Sequence, residues 1–186
     1  MNIQGKKVTL RALEPGDMEE LRNYHNDPVI GNLVGGWSYP ISSYQQMQWY
    51  ERTIADDKNH RFAIHTEEDG FIGISTLTNI DVKNRSAHHG IIIGKKELRG
   101  HGYGRDTVMA TMKFAFEELQ LNRLDGDIAE HNVPSFNLYT EKCGWIEEGR
   151  IRRHIYRNNR YYDRVIVGIL KEEYEELCKK NNYWNS

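Results

Sequence analysis

The segment Arg99-Gly100-His101-Gly102-Tyr103-Gly104 sets three alternating glycines between an apolar run, Ile91-Ile92-Ile93, and an amphipathic stretch. Without a Cβ, glycine lets a backbone bend sharply and approach a ligand closely. A turn of this kind opening a helix aims successive N–H groups at one point, where an anion such as a pyrophosphate can sit. Two familiar phosphate motifs do not fit. A P-loop ends in Gly-Lys-Ser/Thr, whereas Gly104 is followed by Arg105 and Asp106. A dinucleotide fingerprint is spaced G-x-G-x-x-G, and here the spacing is G-x-G-x-G. A ligand-free strand-to-helix turn would use the same glycines.

A second group lies downstream. Asn132, Ser135 and Tyr139 fall at i, i+3 and i+7, one stripe of a helix. A polar stripe of this kind suits a groove that holds a polar ligand. Taken singly, the three are also a helix-capping asparagine, a first-turn serine and a packed tyrosine. A histidine pair, His88-His89, precedes the glycine turn. Imidazole exchanges a proton near neutrality, its ordinary pKa being about 6.5; a strand histidine without catalytic work is the competing reading.

The elements that must position these groups alternate strand and helix. Lys6 to Arg11 is a short strand, and Pro15 opens a helix. Gly31 to Pro40 is predicted irregular, with Gly31, Gly35, Gly36 and Pro40. Ser42 or Ser43 caps a helix through Gln45 to Ala55. Arg61 to Thr66 and Phe71 to Thr78 form a strand pair, and Ala87 to Ile93 is a strand covered on both faces. A helix over Gly104 to Leu119 carries Val108, Met112, Ala115 and Leu119 on its apolar face. Arg123 to Ile128 is the next strand, and a short helix runs from Asn132 to a stop at Gly144. Ile151 to Tyr156 and Tyr161 to Leu170 make a hairpin, and Lys171 to Asn182 is a terminal helix or tail. The fold class is α/β (α+β), one domain over residues 1–186.

Arg99, Gly102 and Gly104 fit the pattern Arg/Gln-x-x-Gly-x-Gly/Ala. The run from Asn132 through Ser135, Tyr139 and Gly144 to Trp145 fits Asn-x-x-Ser/Ala…Tyr-x-x-x-Gly-Phe, with Trp145 in the phenylalanine position. Together they resemble the coenzyme A-binding signatures of the GCN5-related N-acetyltransferases (GNAT). Val8-Thr9-Leu10-Arg11 and Asn158 to Asp163 are similar to the branch that holds ribosomal-protein N-terminal and spermidine N-acetyltransferases.

The resemblance implies a mixed twisted sheet of about seven strands, flanked by helices, with acetyl-CoA between two splayed parallel strands. Ile91, Ile92 and Ile93 would line that gap, with a main-chain N–H near Ile92 on the thioester carbonyl. Arg99, Gly100, His101, Gly102, Tyr103, Gly104 and Arg105 would supply the pyrophosphate turn, and Asn132 and Ser135 the polar stripe along the cofactor. The amine would attack directly in a ternary complex, with Tyr139 as general acid for the leaving thiolate. Relatives carry glutamate on the strand before the turn, where this chain has His88, the first candidate for general base. The acceptor would be a polyamine or a protein N-terminal amine, and the branch implies a homo-oligomer. A non-catalytic acyl-CoA-binding module on the same fold is the alternative.

Composition bounds the remaining classes. The chain has 186 residues, 28% of them charged, and a formal net charge of −2. That balance gives no electrostatic case for nucleic acid. Arg150, Arg152, Arg153, Arg157, Arg160 and Arg164 cluster in the hairpin, where they suit a solvated surface, a phosphate or a partner. Aromatics gather at Trp37, Tyr39, Tyr44, Trp49 and Tyr50, near where relatives close over the acceptor. Cys143 and Cys178 lack metal or redox spacing, so no metal is expected and both read as reduced thiols of a cytoplasmic protein. Neither a signal-like N-terminus nor a membrane span of roughly 18 apolar residues is expected.

Overall fold

The computed structural model describes residues 1–34, 39–56 and 58–185. Its strands are β1 (Ile3–Gln4), β2 (Thr9–Ala12), β3 (His60–Thr66), β4 (Gly70–Asp81), β5 (Ser86–Ile93), β6 (Arg123–Ala129), β7 (Ile146–Arg157) and β8 (Arg160–Leu170). They form one sheet in the order β1-β2-β3-β4-β5-β6-β8-β7. Every pairing is antiparallel except β5 with β6. The helices are α1 (Met18–Asn26), α2 (Pro28–Leu33), α3 (Ser43–Ile54), α4 (Tyr103–Lys113), α5 (Val133–Asn137) and α6 (Lys171–Asn181). Wider π turns extend α4 over Phe114–Glu118 and α5 over Leu138–Lys142.

The sheet is sandwiched. On one face α4 packs Val108, Met109 and Met112 against Leu77, Leu124 and Val167. On the other, Met18 and Leu21 of α1 meet Ala63, Ile74 and Trp49. Alternation along β4 divides the work: Ile74 faces α1, while Ser75 and Leu77 face α4. Local chemistry explains several boundaries. Ser42 caps α3 in a reciprocal box with Gln45. The β7–β8 loop is Asn158-Asn159, at φ 51° and 57°, the left-handed pair that a two-residue hairpin requires.

Three expectations need correction. Lys6 to Arg11 is strand only from Thr9: Gly5 N–H donates to Val8 O at 2.8 Å, so Lys6 to Val8 lie in a turn, and the short β1 ahead of it is an eighth strand. Gly31 is helical. The Asp27 carboxylate accepts from Val29 and Ile30 N–H at 2.7 and 3.3 Å, and Pro28 occupies the first position, so Asp27-Pro28 starts α2. Gly35, Gly36 and Trp37 lie outside the described residues. Finally, Ile91, Ile92 and Ile93 are half-buried rather than covered on both faces, because β5 loses a neighbour along its second half.

One carboxylate ties both chain ends to α4. Asp106 is buried, and it accepts from Lys6 N–H at 2.9 Å, Lys7 N–H at 2.6 Å and Val8 N–H at 2.9 Å. The Tyr183 hydroxyl donates to it at 2.7 Å. A side chain at Gly5 would overlap its Oδ2, so glycine is required there by close approach.

Candidate active site

The site begins where the ladder between β5 and β6 stops. The two strands pair at Ser86↔Arg123, Ala87↔Leu124 and His88↔Asp125 only. Both continue, to Ile93 and Ala129, without pairing, so a V-shaped gap opens. Its inner part is lined by His88, Ile91, Ile92, Asn132, Ser135 and Tyr139. Gly94 N–H donates to Ile72 O at 2.9 Å. Antiparallel hydrogen bonding alternates by residue, so the Ile92 N–H also points at β4. The amides of Ile91 and Ile93 are the ones that face the gap. The expected donor near Ile92 is thereby moved one residue either way.

Further along the gap is the glycine turn. Gly100 and Gly102 have φ of 85° and 87°, and Gly102 is the N-cap of α4. The first intrahelical bond is from Asp106 N–H to Gly102 O, 3.0 Å. The N–H groups of Tyr103, Gly104 and Arg105 precede it and have no intrahelical acceptor. A Cβ on Gly100 would meet nothing within 4 Å, so this side of the turn is open to a guest. An anion at the helix start fits both these leading amides and the helix dipole. Arg99, Gly100, His101 and Gly102 are exposed; Tyr103 is buried, with Gly104 and Arg105 partly so. Lys7 donates its Nζ to His101 O at 2.9 Å, which brings a cation to the turn.

Adjacent histidines project to opposite faces of β5. His88 turns toward two strand neighbours of β6, its Nδ1 3.0 Å from Asp125 Oδ1 and its Nε2 3.3 Å from Asp127 Oδ1. The Asp127 hydrogen bond chiefly raises the His88 pKa, against the opposing effect of burial. Asp127 is lowered in turn, chiefly by His88, with Arg164 adding attraction. His89 points the other way and is fully buried. Burial takes its pKa down to about 3, so it is neutral.

Tyr139 lies in the π turn after α5, 3% exposed, with its hydroxyl 2.8 Å from His89 Nδ1. Its ring meets the edge of Trp145 at 4.8 Å between centroids. Burial drives the phenol pKa up, so the hydroxyl keeps its proton. Asn132 is occupied structurally. Its Oδ1 caps Ser135 N–H at 3.2 Å and its Nδ2 donates to Leu33 O at 3.1 Å, tying α2 to the mouth of the gap. Ser135 lines the gap beside it.

The basic cluster is largely engaged. Arg150 pairs with Glu147, Arg157 donates to Gly31 O and Val34 O, and Arg164 approaches Asp127. Trp49 and Tyr50 pack in the α1–α3 core, whereas Tyr39 and Tyr44 are exposed. Sequence reasoning missed Asp125 and Asp127. Their i, i+2 spacing on a predicted strand was the available signal, placing both on one face. Among the described residues, no group of three or more His, Cys, Asp or Glu could hold a metal ion, and no helix is long and apolar enough to cross a membrane.

The splayed parallel pair has a glycine turn at one end and a buried phenol with an ionisable cluster at the other, an arrangement that suits an acyl donor carried on a phosphorylated group. The acetyltransferase (GNAT) domain model matches residues 7–146. The chain belongs to this family and is an N-acetyltransferase. It is 32% identical over 176 residues to the spermidine N(1)-acetyltransferase of Vibrio cholerae, covering 94% of this chain and 97% of that protein. The Bacillus subtilis protein YdaF, whose name provisionally assigns it ribosomal N-acetyltransferase activity, is 32% identical over 177 residues, covering 90% and 93%. The crystal structure of the Vibrio cholerae spermidine enzyme with CoA and spermine superposes with a TM-score of 0.83 at 31% identity, covering 91% of this chain and 98% of that one.

Proposed function

We propose that residues 1–186 act as one N-acetyltransferase domain that moves the acetyl group of acetyl-CoA to a primary amine of a polyamine. The observation that carries this is the splay of β5 from β6, with the leading amides of α4 at one end and with His88, Asp127 and Tyr139 at the inner end. Tyr103, Gly104 and Arg105 would hold the pyrophosphate through main-chain N–H groups. Ile91 or Ile93 N–H would hold the thioester oxygen, where negative charge develops during attack. Asp125 and Asp127 give the acceptor side carboxylates that attract a cationic polyamine. The spermidine-acetylating relative supports that acceptor class. Free Cys143 and Cys178 support a reducing, cytoplasmic setting. Exposed Ile151, Tyr156 and Tyr161 on the β7–β8 hairpin support self-association.

Thiol release from acetyl-CoA tests the reading, with spermidine, spermine and a series of peptide N-termini as acceptors. Turnover with the polyamines is the expected result. Turnover confined to peptides would reassign the acceptor, and none with any amine would leave an acyl-CoA-binding module.

The cradle has its own test. Val at Gly102 would have to adopt φ near 87°, which a β-branched residue rejects. The turn would re-route and its amides would point elsewhere. Gly102→Val is expected to abolish calorimetric binding of acetyl-CoA while circular dichroism shows a folded protein. Unchanged affinity would remove this turn from the site.

His88 is proposed as the base that deprotonates the amine. It must be neutral to accept a proton, and its carboxylate neighbours favour the charged form. The sign follows: kcat/KM rises with pH through an inflection above the ordinary 6.5. His88→Gln removes that inflection. With one substrate, the variant should be slower near neutrality and should close the gap at higher pH, where more amine is already unprotonated. Profiles identical in height and shape would assign the proton to water.

A further inference from the structure

Behind Tyr139 a chain of buried polar groups runs into the core. Tyr139 Oη is 2.8 Å from His89 Nδ1, and His89 Nε2 is 3.2 Å from Ser75 Oγ. Ser75 Oγ is 2.9 Å from Thr111 Oγ1, which donates to Thr107 O at 2.9 Å. His89, Ser75 and Thr111 are between 0 and 2% exposed. The members come from β5, β4 and α4, so three separate elements must deliver them. A phenylalanine at position 89 would place a slightly larger ring here without any polar atom. The sequence instead buries an imidazole, at a desolvation cost that only its hydrogen bonds offset.

We infer that His89 is a positioning residue for Tyr139, acting through the imidazole edge that meets the phenol oxygen, with Ser75 and Thr111 setting which ring nitrogen carries the proton. This rests on the role proposed above for Tyr139. The chain has two consistent polarities. With Thr111 donating to the Thr107 carbonyl, Ser75 donates to Thr111 and His89 donates from Nε2 to Ser75. Nδ1 is then bare, and the Tyr139 proton points at it. With the hydroxyls reversed, the Thr111 hydroxyl turns away from Thr107 O and donates to Ser75 instead, Ser75 donates to Nε2, and His89 donates from Nδ1 to the phenol oxygen. Only the second polarity frees the Tyr139 proton for the gap, where the departing sulfur needs it. It also leaves an N–H on the phenol oxygen as that proton is shared with sulfur. Neutral imidazole supports both polarities because it has one donor and one acceptor nitrogen. The charged form would donate from both. No bond to substrate is made by His89 itself.

The test is a double-mutant cycle on kcat at saturating acetyl-CoA and amine, with thermal melts alongside. His89→Phe keeps a flat ring, slightly larger than imidazole, and removes both nitrogens; it is expected to lower kcat roughly tenfold or more with little change in the acetyl-CoA KM. In a Tyr139→Phe background the same substitution should cost almost nothing, since the phenol it positions is gone. His89→Asn, whose amide can reach toward Nδ1's place, should recover part of the loss. If His89→Phe does not fold, Ser75→Ala carries the test: it removes the partner of Nε2 and should lower kcat only when Tyr139 is present. Equal losses with and without the Tyr139 hydroxyl would overturn the inference, because a packing role does not depend on that one oxygen. Tyr139→Phe with full kcat would overturn both this inference and the Tyr139 role. A loss in Tyr139→Phe with none in folded His89→Phe would overturn this inference alone.

Discussion

Tyr139→Phe is expected to lower kcat by about 10²–10⁴-fold, the usual span for losing a positioned proton donor. The substitution removes one oxygen from a side chain held on every side. The ring stays against Trp145, so the shape of the gap should survive. The raised phenol pKa keeps the proton on oxygen until sulfur begins to carry charge. The interaction therefore strengthens in the transition state, which places the loss in kcat more than in acetyl-CoA affinity. Pre-steady-state and steady-state kinetics with one polyamine would check it. A kcat equal to that of the parent chain would make Tyr139 a packing residue.

Asp106→Ala is expected to destabilise the fold by about 3–5 kcal/mol, because several buried donors lose their acceptor together. Three backbone N–H groups at the β1–β2 turn and the Tyr183 hydroxyl converge on this carboxylate. Alanine offers no acceptor and leaves a small void. Asp106→Asn keeps one oxygen and should lose less. Urea unfolding with an unchanged slope would read the difference as stability. A loss below about 1 kcal/mol would show that water replaces the carboxylate at those amides.

The two chemical motifs and most elements were legible in the sequence because local physics sets them. The glycine spacing at 100, 102 and 104 dictates a turn with left-handed residues, and two of those glycines take positive φ. Ser42 and Asn132 are caps by side-chain type, and both cap. Asn158-Asn159 names its own turn. Failures fell where a short signal met a longer pattern. Asp27-Pro28 starts a helix that the glycines at 31, 35 and 36 obscured, and Gly5 breaks a strand only because Asp106, distant in sequence, occupies the space beside it.

What the sequence by itself determined is the kind of protein: a glycine turn before an amphipathic helix, a polar stripe ending in tyrosine, and an alternating α/β order. Tertiary structure alone decided how the ionisable groups divide their work. Alternation on a strand puts His88 and His89 on opposite faces, but nothing local says which face is the gap and which is the core. Long-range pairing settles that. The last parallel pair, His88↔Asp125, brings two carboxylates to His88. The α4 and α5 packing encloses His89 with Ser75, Thr111 and Tyr139. Two identical side chains thus become one raised and one strongly lowered imidazole, because charge and desolvation depend on neighbours that the chain order does not specify.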